Sequence, residues 1–195
     1  YKGYPLAGSS NPIDVAVLDG LQARGIEPAP LAEDGEFLRR LYADALGRTP
    51  TEAEYDAFVA KTAPTKREQE IDALLASAEF ASHWAGLMGE WLEMGRGQDG
   101  ADFDAWAQGA IAGGDTLADM FTVLSEGGVA SFENRHDTPA AKLDTLLQAG
   151  AGMSAKCAVC HDHPLTGPND PIKWTQGERY PLDAFFARTP TDATA

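Results

Sequence analysis

Residues 79–92 read EFASHWAGLMGEWL, and this stretch has the helical spacing of apolar residues that recurs along the chain. Its large apolar side chains recur every three or four positions: Phe80, Trp84, Leu87, Met88, Trp91 and Leu92. Such spacing places them on one side of an α-helix and leaves small and polar residues on the other side. The stretch therefore predicts an amphipathic helix with an aromatic face.

Short apolar segments of the same period lie on both sides of this helix. Glycine, proline and aspartate separate them, and these residues end helices or start new ones. Helix-start signals precede several segments: Asn11-Pro12, Thr51 with Glu54, Asp115, and Thr138-Pro139. No segment has the apolar–polar alternation that is typical of a half-buried strand. The sequence thus predicts an all-α fold of eight or nine short helices.

A chain of 195 residues is the length of one domain. We expect an N-terminal extension at 1–10, one helical domain over 11–188 and a flexible tail at 189–195. The Gly-rich stretch Ser125–Asp137 predicts a surface loop, and the Pro-rich stretch Pro164–Trp174 predicts another.

The charge excludes one class of partner. Thirty acidic and fifteen basic residues give a formal net charge of −15. Nucleic-acid binding is excluded because it needs clusters of Lys and Arg that neutralise phosphates. No apolar run reaches about 18 residues, so no membrane-spanning helix is predicted. A strongly acidic surface favours basic protein partners.

Both cysteines of the chain lie in one pentapeptide, Cys157-Ala158-Val159-Cys160-His161. A C-x-x-C-H sequence is the attachment motif of c-type haem. Two thiols separated by two residues can add to the two vinyl groups of one haem, and the next histidine is then placed beneath the iron. The motif predicts one covalently attached haem c, held by Cys157 and Cys160, with His161 as the iron ligand.

Two other interpretations of the cysteines stay open. A C-x-x-C pair can be a redox dithiol, although that function is typical of a βαβ context that this sequence lacks. Cys157, Cys160, His161 and His163 could also hold zinc, although structural zinc pairs are usually spaced further apart along the chain.

Several sequence runs, taken in order, carry a resemblance to a known family. They are Asn11-Pro12-Ile13-Asp14, Leu38-Arg39-Arg40-Leu41-Tyr42, Leu74-Leu75-Ala76-Ser77, Trp91-Leu92-Glu93, Leu117-Ala118-Asp119-Met120-Phe121, Cys157–Pro164 and Trp174-Thr175-Gln176. Together they resemble the cytochrome-associated domain of unknown function of planctomycete-type bacteria, a family often described as planctomycete cytochrome c-like. The resemblance covers roughly residues 11 to 188. It implies an exported haem protein and implies no catalytic activity.

The distal iron ligand decides what such a haem does, because a sixth ligand favours electron transfer and an open site permits ligand chemistry. The candidates are His83, His136, His163, Met88, Met94, Met120 and Met153. Met88 follows Trp84 by four residues, so the two share a helix face, whereas His83 points elsewhere. We retain Met88, His83 and an open site, and expect His136 to be a solvated loop residue.

Residues near the motif are candidates for the rest of the haem site. Trp174 is the best placed of the four tryptophans to form an apolar wall, although core packing is the usual role of tryptophan. Lys156 and Arg179 are basic residues in an acidic chain and could pair with haem propionates. Scattered surface charge is the competing explanation for both.

The motif and the charge together favour electron transfer between redox proteins over catalysis. A structural haem subunit of a larger complex or filament, or an open haem with peroxidase or ligand-binding activity, are the alternatives. A membrane complex or a homo-oligomer is a further expected setting. Covalent haem needs an assembly site outside the cytoplasm, so the motif predicts a location in the periplasm or at the cell surface. The first residue is Tyr1 and not Met, so we expect a mature chain without its signal peptide.

Overall fold

The protein is seen here in a computed structural model that describes residues 8–160, 162 and 175–187. These residues form ten α-helices and one short 3₁₀ turn, with no strand among them. The helices are α1 (Pro12–Ala23), α2 (Asp34–Leu46), α3 (Glu52–Val59), α4 (Lys66–Leu75), α5 (Ala78–Trp91), α6 (Gln98–Gly113), α7 (Leu117–Ser125), α8 (Ala130–Arg135), α9 (Pro139–Ala151) and α10 (Gln176–Phe186). The 3₁₀ turn is Lys156–Val159. The predicted all-α class is confirmed for this part of the chain.

Local capping explains most helix starts. The Asn11 side chain accepts a hydrogen bond from the Ile13 amide at 2.9 Å, and Pro12 occupies the first turn. Thr51 and Glu54 form the predicted capping box of α3. At α7 the prediction was wrong by one residue, because Thr116 rather than Asp115 is the N-cap.

The larger hydrophobic core lies between α5 and the helices that follow it. The predicted amphipathic helix is α5, and it packs along α6 while α9 packs against α10. The fully or nearly fully buried side chains of this core include Met88, Leu92, Phe103, Met120, Leu124, Phe132, Leu143 and Phe186. The 3₁₀ turn with the first cysteine contacts α10 in this part of the fold.

A smaller core lies on the N-terminal side. Leu38 and Tyr42 of α2 pack with Phe58 of α3 and Leu74 of α4, and Phe80 of α5 packs against this cluster. Helix α5 thus has one end in the smaller core and the rest in the larger one. None of the residues of α1 is buried, so this helix contributes little to either core.

The count of eight or nine helices was too low, and the missed element is α8. It lies inside Ser125–Asp137, the stretch that was predicted to be a surface loop. Phe132 is fully buried in the larger core and Val129 is nearly so. Six residues give less than two helical turns, too few for a 3.6-residue period to show in the sequence.

Candidate cofactor site

The cysteine motif begins in a 3₁₀ turn that is anchored by small buried residues. Ala155 and Ala158 are both 1% exposed, and the Ala158 amide donates to the Ala155 carbonyl at 3.0 Å. The turn covers Lys156–Val159 and ends one residue before Cys160. Cys160 is exposed and forms no disulfide. The first cysteine therefore lies in the turn and the second follows directly after it.

Arg179 of α10 holds this segment in place. Its side chain is fully buried, and its Nη1 and Nη2 atoms donate to the Asp144 carboxylate at 2.7 and 3.2 Å. Nη1 also donates to the Ala155 carbonyl at 2.6 Å, and Nε donates to Asp183 at 3.1 Å. One guanidinium thus connects α10, α9 and the residue before the 3₁₀ turn.

A second link joins the motif to the start of α10. The Gln176 amide donates to the Asp162 carboxylate at 2.9 Å, and its side-chain Nε2 donates to the Val159 carbonyl at 3.2 Å. Thr175 and Glu178 form a capping box that fixes the first turn of this helix. The two ends of the cysteine turn are therefore both hydrogen-bonded to α10.

The predicted haem-binding residues have different surroundings. Lys156 is exposed, and its Nζ lies 4.0 Å from the Glu93 carboxylate. Arg179 is buried, and a propionate would compete with Asp144 for its guanidinium. His161 and Trp174 lie outside the described residues, as does His163. The predicted roles of all these residues stay predictions.

The two candidate distal ligands lie on different sides of α5. Met88 is 3% exposed and lines an apolar groove. His83 faces the end of α2, where a Cβ on Gly47 would come within 2.3 Å of the His83 ring. Gly47 also has φ +69°, so only glycine fits this turn without strain. Because Met88 and His83 lie on different sides of α5, they cannot both coordinate one iron.

The apolar groove consists of two pockets whose linings share Met88, Trp91 and Leu117. The first pocket has a volume of about 380 Å³ and is lined by Met88, Trp91, Leu92, Leu117, Ala118, Phe121, Ala149 and Gly150. The second has about 290 Å³, and its lining also includes Phe80, Trp84, Ile111, Asp115 and Met120. Small-molecule sites commonly have about 300–1,000 Å³. Trp91 and Leu117 are 50% and 63% exposed, so the groove is open to solvent at its rim.

His136 was expected to be a solvated loop residue, and this was wrong. It is 6% exposed at the end of α8, and its Nε2 lies 2.8 Å from the Leu92 carbonyl. Its ring packs on Phe132 with a centroid distance of 4.7 Å. Burial lowers the pKa of His136 below its ordinary value. This contact could not be predicted from the residues around His136 because its partner Leu92 lies 44 positions away along the chain.

No three His, Cys, Asp or Glu side chains among residues 8–160, 162 and 175–187 are grouped as metal ligands. Within the same residues, no helix has the length and apolar character needed to cross a membrane. Met94 and Met120 are buried in the larger core.

Residues 12–112, just over half of the chain, match the family model described as PSCyt2, Protein of unknown function (DUF1549). The chain belongs to this family, a planctomycete-type domain of unknown function. The match ends within α6, so it covers less than the expected residues 11 to 188 and does not reach the C-x-x-C-H motif. No curated protein and no solved structure matches the chain.

Proposed function

We propose that this protein is a monohaem c-type cytochrome that transfers single electrons between redox proteins outside the cytoplasm. The observation that carries the proposal is the C-x-x-C-H motif at 157–161, which contains both cysteines of the chain. In attachment, each thiol adds across one haem vinyl group. A thioether S–C bond forms, the thiol proton ends on the other vinyl carbon, and no oxidant is consumed.

The spacing of the two cysteines supports this cofactor. Two thiols separated by two residues can reach the two vinyl groups of one haem, and the first of the two lies in the 3₁₀ turn Lys156–Val159. Hydrogen bonds from Arg179 to the Ala155 carbonyl and from Gln176 to the Val159 carbonyl hold the backbone at the two ends of this turn. An attachment segment that is already ordered loses little conformational entropy on binding.

The residues then have distinct roles in the proposed site. Cys157 and Cys160 tether the haem, and His161 is the proximal iron ligand. Lys156 offers an exposed cation for a propionate, and Trp174 offers an apolar wall. When bound, the iron supplies one-electron chemistry, in which one redox protein donates an electron and a second accepts it. Met88 or His83 is the candidate distal ligand in this proposal, and an open distal site is the alternative.

The charge supports electron transfer as the role of the haem. A net charge of −15 steers basic redox proteins to the surface and makes their association fast and salt-sensitive. Covalent attachment of haem c places assembly outside the cytoplasm, in the periplasm or at the cell surface. The partners in this proposal are basic redox proteins, and the protein itself acts in solution, in a membrane complex or as a homo-oligomer.

An absorption spectrum of the purified, exported protein tests the proposal. We expect a sharp reduced α-band and a pyridine haemochrome signal that survives acid–acetone extraction, because only thioether-bound haem resists extraction. Replacing both cysteines (Cys157→Ser with Cys160→Ser) should abolish the retained haem.

Three other results would contradict the proposal. A protein without haem that contains one zinc ion per chain would replace the proposal with a zinc site. A protein without haem whose two cysteines titrate as a reversible dithiol would replace it with a thiol redox site. Haem lost on extraction would show that the cysteines do not attach it.

A further inference from the structure

Helix α1 has an apolar face that stays exposed within its own chain. None of its 12 residues is buried, and Ile13 and Val17 are 70% and 54% exposed. Isolated helices shorter than about 12–15 residues are marginal in water, so a short helix depends on packing of its apolar face. Among the residues that the structure describes, α1 lacks a surface that would bury this face.

The exposed face of α1 ends in a cation. Residues 13, 17, 20 and 24 lie on one side of the helix, because steps of three and four residues return to the same side. This face carries Ile13, Val17, Gly20 and, directly after the helix, Arg24. The Arg24 side chain forms no ion pair with any described residue. The face therefore offers two apolar side chains and one available positive charge.

The apolar groove beside α5 has the length and character of a helix-binding site. Phe80, Trp84, Met88 and Trp91 line it along one side of α5. At a rise of 1.5 Å per residue this stretch is roughly 17 Å long, and α1 is roughly 18 Å long. Amphipathic helices bind apolar grooves through anchors at the three- and four-residue spacing that α1 shows. The groove thus fits the exposed face of α1 in length and in chemistry.

Asp115 gives the groove one negative charge, towards one end. It is the one charged residue that lines either pocket among the described residues, and it lines the second pocket with Phe80 and Trp84. Its carboxylate has no ion-pair partner in the described part of the chain. Phe80 lies near the start of α5, whereas Arg24 follows the end of α1. A helix lying antiparallel to α5 would therefore bring Arg24 to Asp115.

We propose that the apolar face of α1 docks into the apolar groove of a second copy of this chain, where Arg24 pairs with Asp115 of that copy. No residue of α1 lines either pocket in its own chain. Residues 24–33 connect α1 to α2, and ten extended residues span up to about 33 Å, so α1 can reach a neighbouring molecule. Each copy offers both a helix and a groove, so mutual exchange closes a two-fold dimer.

The charge of the protein predicts how this dimer responds to salt. A net charge of −15 on each copy opposes association, and salt screens this long-range repulsion. Apolar burial, which drives the docking, is not screened in this way. We therefore expect dimerisation to strengthen as salt is added. A dimer held mainly by ion pairs would weaken instead and would contradict the proposal.

Sedimentation equilibrium of the full chain, measured over a wide range of concentrations, tests the docking. Val17→Glu in α1 and Leu117→Glu in the groove each bring an unpaired charge into the apolar contact. Each should weaken dimerisation by more than about tenfold. The matched control is Leu75→Glu, because Leu75 is 50% exposed and lines neither pocket. It should dimerise like the wild type, and circular dichroism should show that all three variants are folded.

A mixture of the two weakened variants tests the exchange itself. A dimer of either variant alone has both of its contacts altered. A mixed dimer keeps one unaltered contact, in which α1 of the Leu117→Glu copy lies in the groove of the Val17→Glu copy. The mixture should therefore associate more strongly than either variant alone. A mixture that associates no better than its components would overturn the exchange.

The charged pair has its own compensating variant. Arg24→Glu should weaken association because it places two negative charges together, and adding Asp115→Arg in the same chain should restore it. A double variant that is weaker than Arg24→Glu alone would overturn the antiparallel pairing. A wild-type chain that stays monomeric at every concentration would overturn the docking as a whole. The docking requires neither cysteine, so a negative haem spectrum would refute the proposed function and leave these measurements unaffected.

Discussion

Two arginines connect helices in this protein, and they do so in opposite environments. Arg48 lies just after α2 and donates to Glu54 of α3 and Glu79 of α5 at distances of 2.5–2.9 Å. Arg179 connects α10 to α9 and to the cysteine turn. The Arg48 side chain is 34% exposed, and the Arg179 side chain is fully buried.

The difference shows what each arginine contributes. Water and salt screen the Arg48 cluster, so each of its ion pairs has a small net effect on stability. Arg48 still lowers the pKa of Glu54 to about 2, chiefly through its hydrogen bonds. Asp144 raises the pKa of the buried Arg179, and removing either partner would leave the other charge without compensation. The Arg48 cluster connects three helices at the surface, whereas the Arg179 cluster holds the cysteine turn against α9 and α10.

The largest expected effect comes from Arg179→Ala. This change leaves the Asp144 carboxylate, whose side chain is 12% exposed, without its cation. Breaking a buried pair in this way costs about 3–5 kcal/mol. Urea denaturation should show a loss of that size in the free energy of unfolding.

The double variant Arg179→Ala with Asp144→Ala is the control for this prediction. It removes both charges, so we expect it to be more stable than the sum of the two single changes predicts. Strict additivity would mean that Arg179 acts through packing and not through its pair with Asp144.

A smaller effect is expected from Arg48→Ala. Both carboxylates remain partly hydrated, so we expect a loss of stability that is well below that of Arg179→Ala. The loss should shrink in 1 M salt, where the Debye length is about 3 Å. Urea denaturation at low and high salt measures both quantities.

The salt dependence separates the two clusters directly. Arg179→Ala should keep most of its effect in the same high-salt buffer, because its partners are shielded from solvent ions. An equal salt response in the two variants would contradict the contrast in burial.

The smallest expected effect concerns His136, the buried histidine at the end of α8. Burial lowers its folded-state pKa, so the unfolded chain binds the proton more readily below about pH 6.5. Stability should therefore fall as the pH is lowered from about 6.5 towards the folded-state pKa. The melting temperature measured between pH 7.5 and pH 5.5 should show this decline.

The matched variant is His136→Gln, which keeps a donor for the Leu92 carbonyl but does not titrate. Its melting temperature should change less than that of the wild type over the same pH range. An identical decline in both proteins would assign the pH dependence to other groups.

Local features of the fold were predictable because their causes lie within a few residues. Asn11, Thr51 and Thr138 cap helices by bonding amides two or three positions away. The cysteine motif is likewise local, because its two cysteines are separated by only two residues. Caps and motifs whose residues lie within one turn can therefore be predicted from the sequence.

Long-range pairing was not predictable in the same way. Arg179 donates to Asp144, Asp183 and two backbone carbonyls, and the farthest of these partners lies 39 positions away, while its predicted contact with a haem propionate stays a prediction. His136 was expected in solvent, yet it bonds Leu92 across 44 positions. Neither partner can be recognised from the residues next to it.

The sequence by itself determined the all-α class, the amphipathic α5 and the location of the two cysteines, because helix periodicity, capping and motif spacing are set by near neighbours. Only the tertiary structure decided that α8 is a buried helix, that Arg179 braces the cysteine turn and that Met88 faces an apolar groove while His83 faces α2. Those facts depend on which distant surfaces meet when the helices pack, and packing is a property of the whole chain.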